Sequence, residues 1–211
     1  METDLWAFEK ELNAQGYAHI AGVDEAGRGP LAGPVVSAAV ILPPDFPSEQ
    51  VNDSKQVRPR LREQLCERIY THALAIGVGI VDSVEIDRIN ILQAARLSMA
   101  MAVANLSPQP DYILIDGNFD IPNSLPQQSI VKGDARSISI AAASIVAKVS
   151  RDGLMNRYHL DFPQFGFDRH KGYPTKDHKA AIAAHGPCPI HRLSFRGVRE
   201  HTVRPSMAPQ R

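Results

Sequence analysis

Residues 17 to 42, Tyr-Ala-His-Ile-Ala-Gly-Val-Asp-Glu-Ala-Gly-Arg-Gly-Pro-Leu-Ala-Gly-Pro-Val-Val-Ser-Ala-Ala-Val-Ile-Leu, constrain the fold more than any other stretch. Two β-prone segments, 17–23 and 34–42, flank a turn with adjacent carboxylates, Asp24 and Glu25, followed by Gly27, Arg28, Gly29, Pro30 and Gly33. Carboxylates at the mouth of a strand need a reason, because an unpaired buried charge is costly. Glycines beside them let main-chain amides approach a ligand where a Cβ would interfere. Together these features predict a metal and phosphate site set against a sheet.

The rest of the chain supplies the layers for such a sheet. Residues 4–15 predict a short helix capped by Asp4 and ended near Gly16. A polar loop, 45–56, precedes a helix that starts at Pro59 and carries Leu61, Leu65, Ile69 and Ala73 on one face. Residues 74–81 read as a small, buried third strand. Asp82-Ser-Val-Glu85 has the form of a capping box, and a break at Asn90 leads to a helix over 91–106. Residues 111–116 form a buried strand ending in Asp116, and 128–132 a short fifth strand before Gly133-Asp134. A long helix over 137–158 buries Ile138, Ile140, Ala141, Ala142, Ile145 and Val149. Residues 162–175 read as a Gly/Pro-punctuated loop, 176–185 as a helix, and the stretch after His191 as basic and irregular. Three strands, a helix, a strand, then a short strand and helix imply an α/β sheet with an initial antiparallel meander and later parallel strands.

With 44% hydrophobic and 22% charged residues in 211, the chain can bury a substantial core as one domain. Its first ten residues are mixed and acidic, unlike a secretory signal, and no apolar run approaches membrane-spanning length. Cys66 and Cys188 are too few for a disulfide framework, and Cys66 falls among apolar helical positions as a buried thiol. A cytoplasmic, monomeric protein is expected. Net charge is zero, yet residues 1–119 hold 9 Lys/Arg against 16 Asp/Glu, and residues 120–211 hold 14 against 7. That asymmetry suits a basic binding surface facing an acidic site, and equally suits two solvated faces of opposite sign.

Four acidic residues stand at predicted strand ends or just beyond: Asp24, Glu25, Asp116 and Asp134. An Asp before Gly is by itself commonly a turn residue, but ligand sites in open α/β sheets form outside strand ends. Oxygen-only ligands select hard cations, Mg²⁺ or Mn²⁺, over zinc. Two such ions roughly 3.5–4 Å apart can clamp the attacking and leaving oxygens of a phosphodiester. No Walker loop is present. His170, His178, His185 and His191, around Cys188, fit no zinc spacing and read as surface or nucleic-acid-facing groups.

The stretch Ala-Gly-Val-Asp24-Glu25-Ala-Gly27-Arg28-Gly29-Pro-Leu-Ala-Gly-Pro-Val resembles the signature of type 2 ribonucleases H, in particular the bacterial ribonuclease HII family. The resemblance continues through Asn52-Asp-Ser-Lys55, Leu114-Ile-Asp116-Gly-Asn, Val131-Lys-Gly-Asp134, Ile140-Ala-Ala-Ala-Ser144-Ile-Val-Ala-Lys148-Val-Ser-Arg-Asp and His170-Lys-Gly-Tyr173-Pro-Thr. It covers roughly residues 17–200. The resemblance implies a ribonuclease H-like mixed five-stranded sheet flanked by helices, with a core over about 17–160, a C-terminal helical extension over about 161–200 and a basic tail, 201–211. It implies an endonuclease that cuts the RNA strand of RNA–DNA hybrids and incises 5′ of ribonucleotides embedded in duplex DNA, leaving a 3′-hydroxyl and a 5′-phosphate. Asp24, Glu25, Asp116 and Asp134 become the catalytic carboxylates, the first three being the firmest ligands of two Mn²⁺ or Mg²⁺ ions. Gly27, Arg28 and Gly29 would read the ribose 2′-hydroxyl, the group that tells RNA from DNA. Tyr173 would stack on the next, deoxy, sugar; packing against Pro174 is the plain alternative. Arg28, Lys55, Ser144 and Lys148 become phosphate contacts, Lys148 being equally readable as a solvated helix residue.

Two departures stand out. Gln56 follows Asp-Ser-Lys where the family usually repeats Lys, and the tail from His201 lacks the glutamine-plus-aromatic pattern of a sliding-clamp motif. Type 3 ribonuclease H is the nearest rival; Gly-Arg-Gly in place of Gly-Lys-Gly and the expected lack of a further N-terminal domain argue against it. Another two-metal nuclease of this fold would cut DNA without ribose, and a binding module with relic carboxylates would not turn over.

Overall fold

The computed structural model describes residues 4–47, 51 and 59–202. Within them the chain runs α1 (Ala7–Ala14), β1 (Ile20–Ala26), β2 (Val35–Ile41), α2 (Pro59–His72), β3 (Ala75–Val81), α3 (Ser83–Ile89), α4 (Ile91–Ala104), β4 (Tyr112–Asp116), β5 (Gln127–Ile130), α5 (Ile138–Asp161), α6 (Phe167–His170) and α7 (Lys176–His185). The strands make one sheet in the order β3-β2-β1-β4-β5. The first three are antiparallel neighbours, while β4 and β5 join parallel, so the mixed sheet matches the sequence expectation.

The two faces are covered by helices chosen by residue size. On one face α5 lays Ala141, Ala142, Ala143 and Ala147 against Ala38 and Val40 of β2. Contact with β1 is closer still. A Cβ on Gly22 would fall 2.1 Å from the Ser139 backbone, so only glycine lets the start of α5 lie on the strand. On the other face α4 packs Met99, Ala102 and Val103 over Val23, Ala39 and Ile115. Ser37 and Ser98 share a 2.6 Å hydroxyl bond there, satisfying two polar groups in an apolar layer.

Strand β1 extends further than expected. Its ladder with β2 continues through Asp24↔Ala38, Glu25↔Ser37 and Ala26↔Val36, so both carboxylates belong to the strand and not to the turn after it. Other differences are local. Helix α1 starts at Ala7, because Asp4 spends its carboxylate on the Trp6 amide. Asp82 accepts the Glu85 amide as a capping box requires, but Glu85 turns to Arg88, so half the box forms. The break at Asn90 is real: its φ is +67°, and its side chain caps α4. The presumed loop 162–175 contains a 3₁₀ turn, Pro163–Phe165, and α6. With α7 these form the C-terminal extension, whose core of Phe165, Phe167, Ile182 and Val198 closes on Leu31, Ala32 and Met155.

Candidate active site

Strand register assembles the carboxylates. In the parallel β1–β4 pair, Val23 lies opposite Ile115; one residue further come Asp24 and Asp116. Side-chain alternation puts both on the α5 face, since Val23 and Ile115 are in the α4-side core. Asp24 is 5% exposed. Its Oδ1 accepts the Glu25 amide at 2.7 Å, and Ser144 of α5 stands beside its carboxylate. Burial, then the charges of Glu25 and Asp116, push the Asp24 carboxyl well above the usual range. Burial raises Glu25 as well, against the pull of the Arg28 guanidinium 3.2 Å away. Asp116 accepts the Gly133 amide at 2.6 Å, which ties β4 to the 3₁₀ turn Gly133–Ala135 that carries buried Asp134.

Asp24, Glu25 and Asp116 open onto one cavity of about 400 Å³, whose other walls are Gly27, Arg28, Gly29, Arg62, Ser144, Lys148 and Tyr173. Asp134 does not line it; it stands next to the site through the Gly133–Asp116 bond. Lys55 lies outside the described residues, as does most of the tail read as lacking a clamp motif. Lys148 bridges to Asp152 at 2.7 Å and still reaches the cavity wall.

The donor set fits a hard cation: three carboxylates, no nitrogen or sulfur. Glu25 Oε2 is buried with no hydrogen-bond partner among the described residues, an acceptor left for a cation, and the raised Asp24 carboxyl reports the repulsion that positive charge would relieve. As they stand, no three acidic, imidazole or thiol groups among the described residues are close enough together to hold an ion.

The glycines of the turn divide into two kinds. Gly27 has a φ of +103°, and a Cβ there would fall 2.1 Å from Arg151 Nε, so conformation and packing both require it. Gly29 has neither constraint. A Cβ on it would meet only the Tyr173 ring, at an ordinary 3.7 Å. What its missing side chain keeps open is the cavity. Tyr173 is 43% exposed, and its ring borders the cavity beside Gly29.

Sequence reasoning missed three arginines. Arg62 of α2 lines the cavity. Arg151 and Arg192 are fully buried and, among the described residues, bond main-chain carbonyls alone, Arg151 those of Ala32, Pro34 and Lys171. The signal for Arg151 was present: it falls at a core-facing position of α5. Arg192 had none, lying in a stretch read as irregular. The histidine reading is corrected too. His178 and His191 are 0% and 2% exposed, packed on Phe165 and Phe167 and bonded Nε2 to Nε2 at 3.0 Å. Burial raises Cys66 and Cys188 each to about 11, so both are inert thiols.

A family model described as Ribonuclease HII matches residues 21–198. A ribonuclease HII of Geobacter metallireducens is 58% identical over 202 residues, covering 96% of this chain and 95% of that protein. That of Geotalea daltonii is 57% identical over 197 residues, covering 93% and 91%. Among solved structures, ribonuclease H2 from Pyrococcus horikoshii superposes with a TM-score of 0.73 at 27% identity, over 87% of this chain and 96% of that one. The RNase HII of Archaeoglobus fulgidus, solved in a complex with PCNA, gives 0.73 at 26% identity, over 85% and 96%.

Proposed function

Since the chain belongs to the ribonuclease HII family, and is by that membership a ribonuclease H acting on RNA–DNA hybrids, we propose that it also incises duplex DNA 5′ of single embedded ribonucleotides. One observation carries the reading: Asp24, Glu25 and Asp116 share a cavity with the Gly27–Gly29 turn and Tyr173. A phosphodiester seated there has its phosphate at the carboxylates and its sugar at the turn. Asp24, Glu25 and Asp116 would hold two Mg²⁺ or Mn²⁺ ions, with Asp134 the fourth catalytic carboxylate beside Asp116. Ions held by these residues would supply Lewis-acid stabilisation of charge on the phosphate and activation of water at neutral pH.

The chain's own residues do the rest. The Glu25 amide fixes the Asp24 carboxylate, with Ser144 beside it. Arg28 neutralises part of the Glu25 charge and, with Lys55, Arg62, Ser144 and Lys148, offers phosphate contacts that carry affinity and not sequence. The turn presents main-chain amides to the 2′-hydroxyl, and Tyr173 offers a ring face to the following deoxy sugar. Cleavage on the 5′ side leaves a 3′-hydroxyl and a 5′-phosphate. The substrate places the protein in ribonucleotide removal during or after DNA replication. No helix among the described residues is long and apolar enough to cross a membrane; we assign a cytoplasmic monomer of one domain, a core with its helical extension.

The test is a DNA duplex with one ribonucleotide, incubated with and without Mn²⁺ and mapped at nucleotide resolution. Metal-dependent incision 5′ of the ribonucleotide is expected. Equal cutting of an all-DNA control would overturn the assignment.

A further inference from the structure

Arg192 follows α7 in an irregular stretch, and its side chain has no exposure to solvent. Its guanidinium is held in a cage of carbonyls from the turn. Nε donates to Gly33 O at 3.0 Å, one Nη donates to Arg28 O at 3.0 Å and Pro30 O at 2.8 Å, and the other donates to Gly27 O at 2.6 Å. The Phe195 ring lies 5.0 Å away. None of these bonds goes to a carboxylate. Asp87 acts on it through its charge alone, and burying a cation so weakly countered is costly, so the arrangement calls for a role beyond filling space.

That role is orientation. In a trans peptide the carbonyl and the next residue's N–H point in opposite directions. With Gly27 O and Arg28 O turned onto Arg192, the amides of Arg28 and Gly29 face the other way. That way is the cavity, which Gly27, Arg28 and Gly29 line and Arg192 does not. Neither amide donates a hydrogen bond among the described residues. The amide paired with the Pro30 carbonyl differs: Leu31 N donates to Gly172 O at 2.8 Å. The cage therefore leaves two adjacent donors aimed into the site.

We infer that Arg192 is a positioning residue for sugar recognition, presetting the Arg28 and Gly29 amides as paired donors to the ribose 2′-hydroxyl. This rests on the reading of the turn given under Proposed function. The residue that sets ribose preference thus comes from the C-terminal extension and never touches the sugar. Lysine cannot replace it, because three donors on one atom cannot span four carbonyls arranged around a planar fork.

The experiment measures binding without turnover, with Ca²⁺ in place of Mg²⁺, for one DNA duplex with and without a single ribonucleotide. The wild-type protein should prefer the ribonucleotide duplex by about tenfold, the worth of a pair of hydrogen bonds. In Arg192→Lys that ratio should fall to within about twofold of unity, through weaker ribonucleotide binding, while all-DNA affinity and cooperative melting persist. A variant that keeps the wild-type ratio, or that weakens both duplexes equally, would overturn the role of Arg192. A wild-type protein with no preference would instead overturn the sugar-reading turn itself. If the lysine variant does not fold, Arg192→Gln, uncharged and able to bond two of the four carbonyls, is read by the same ratio.

Discussion

Asp116 accepts the Gly133 amide through one oxygen, so a change to Asn can keep that bond while removing the charge. Asp116→Asn is accordingly expected to melt near the wild-type temperature and to lose cleavage by at least about two orders of magnitude, as removal of a group that stabilises transition-state charge does. Retained activity in a folded variant would take Asp116 out of the site. Tyr173 is argued at the same scale. Its ring is half exposed, and its carbonyl, not its side chain, is tied into the fold through His178 Nδ1 at 2.9 Å. Tyr173→Ala should leave melting nearly unchanged and cut kcat/KM at an isolated ribonucleotide by roughly tenfold, about the worth of one stacked contact. A large fall in melting temperature with unaltered kinetics would make the ring a packing element.

Between elements, the closest contact is that of α5 on β1. The Ser139 and Ile140 backbone atoms occupy the space a Gly22 side chain would need, at 2.1–2.2 Å. Gly22→Ala must push α5 off the strand that bears Asp24, with Ser144 moving on the same helix. A loss of about 2 kcal/mol or more in denaturant unfolding is expected, accompanied by weaker activity because Ser144 moves away from Asp24. Stability within error of wild type would show that the helix shifts freely. The helix and sheet layers were legible from the sequence because small and apolar residues recur where the layers pack: the Ala-rich run of α5 and the continuous apolar runs of β1 and β4 sufficed to put Asp24, Glu25 and Asp116 at strand ends. The end of β1 was not legible. Asp24 and Glu25 have low strand propensity, and only pairing with Ala38 and Ser37 carries the strand through them. Nor was the burial of His178, His191 and Arg192 visible, since each is satisfied by partners distant in sequence or by main-chain atoms that any residue type could supply.

At the scale of the molecule, the extension is held together internally by polar groups that tolerate one charge state. The Cys188 amide donates to His191 Nδ1 at 2.9 Å, so the His191 proton sits on Nε2 and points to His178 Nε2. The His178 proton is then on Nδ1 and donates to the Tyr173 carbonyl. Both rings are therefore neutral, and burial lowers each pKa to about 4 from an ordinary 6.5. An unfolded chain gains these protons first on acidification. The stability they contribute is complete above about pH 6.5 and is lost as pH falls toward 4, by an amount on the order of a few kcal/mol. Melting temperature should fall through that window, with a shallower slope in His178→Gln; an equal slope would place the acid sensitivity elsewhere. The arginine cage has a consequence of another kind, in the order of synthesis. A chain leaving the ribosome N-terminus first has all four carboxylates once Asp134 has emerged, but the clamp on its glycine turn waits for Arg192. On the reading proposed above, the acidic residues are thus made before the residue that would orient the sugar-reading amides.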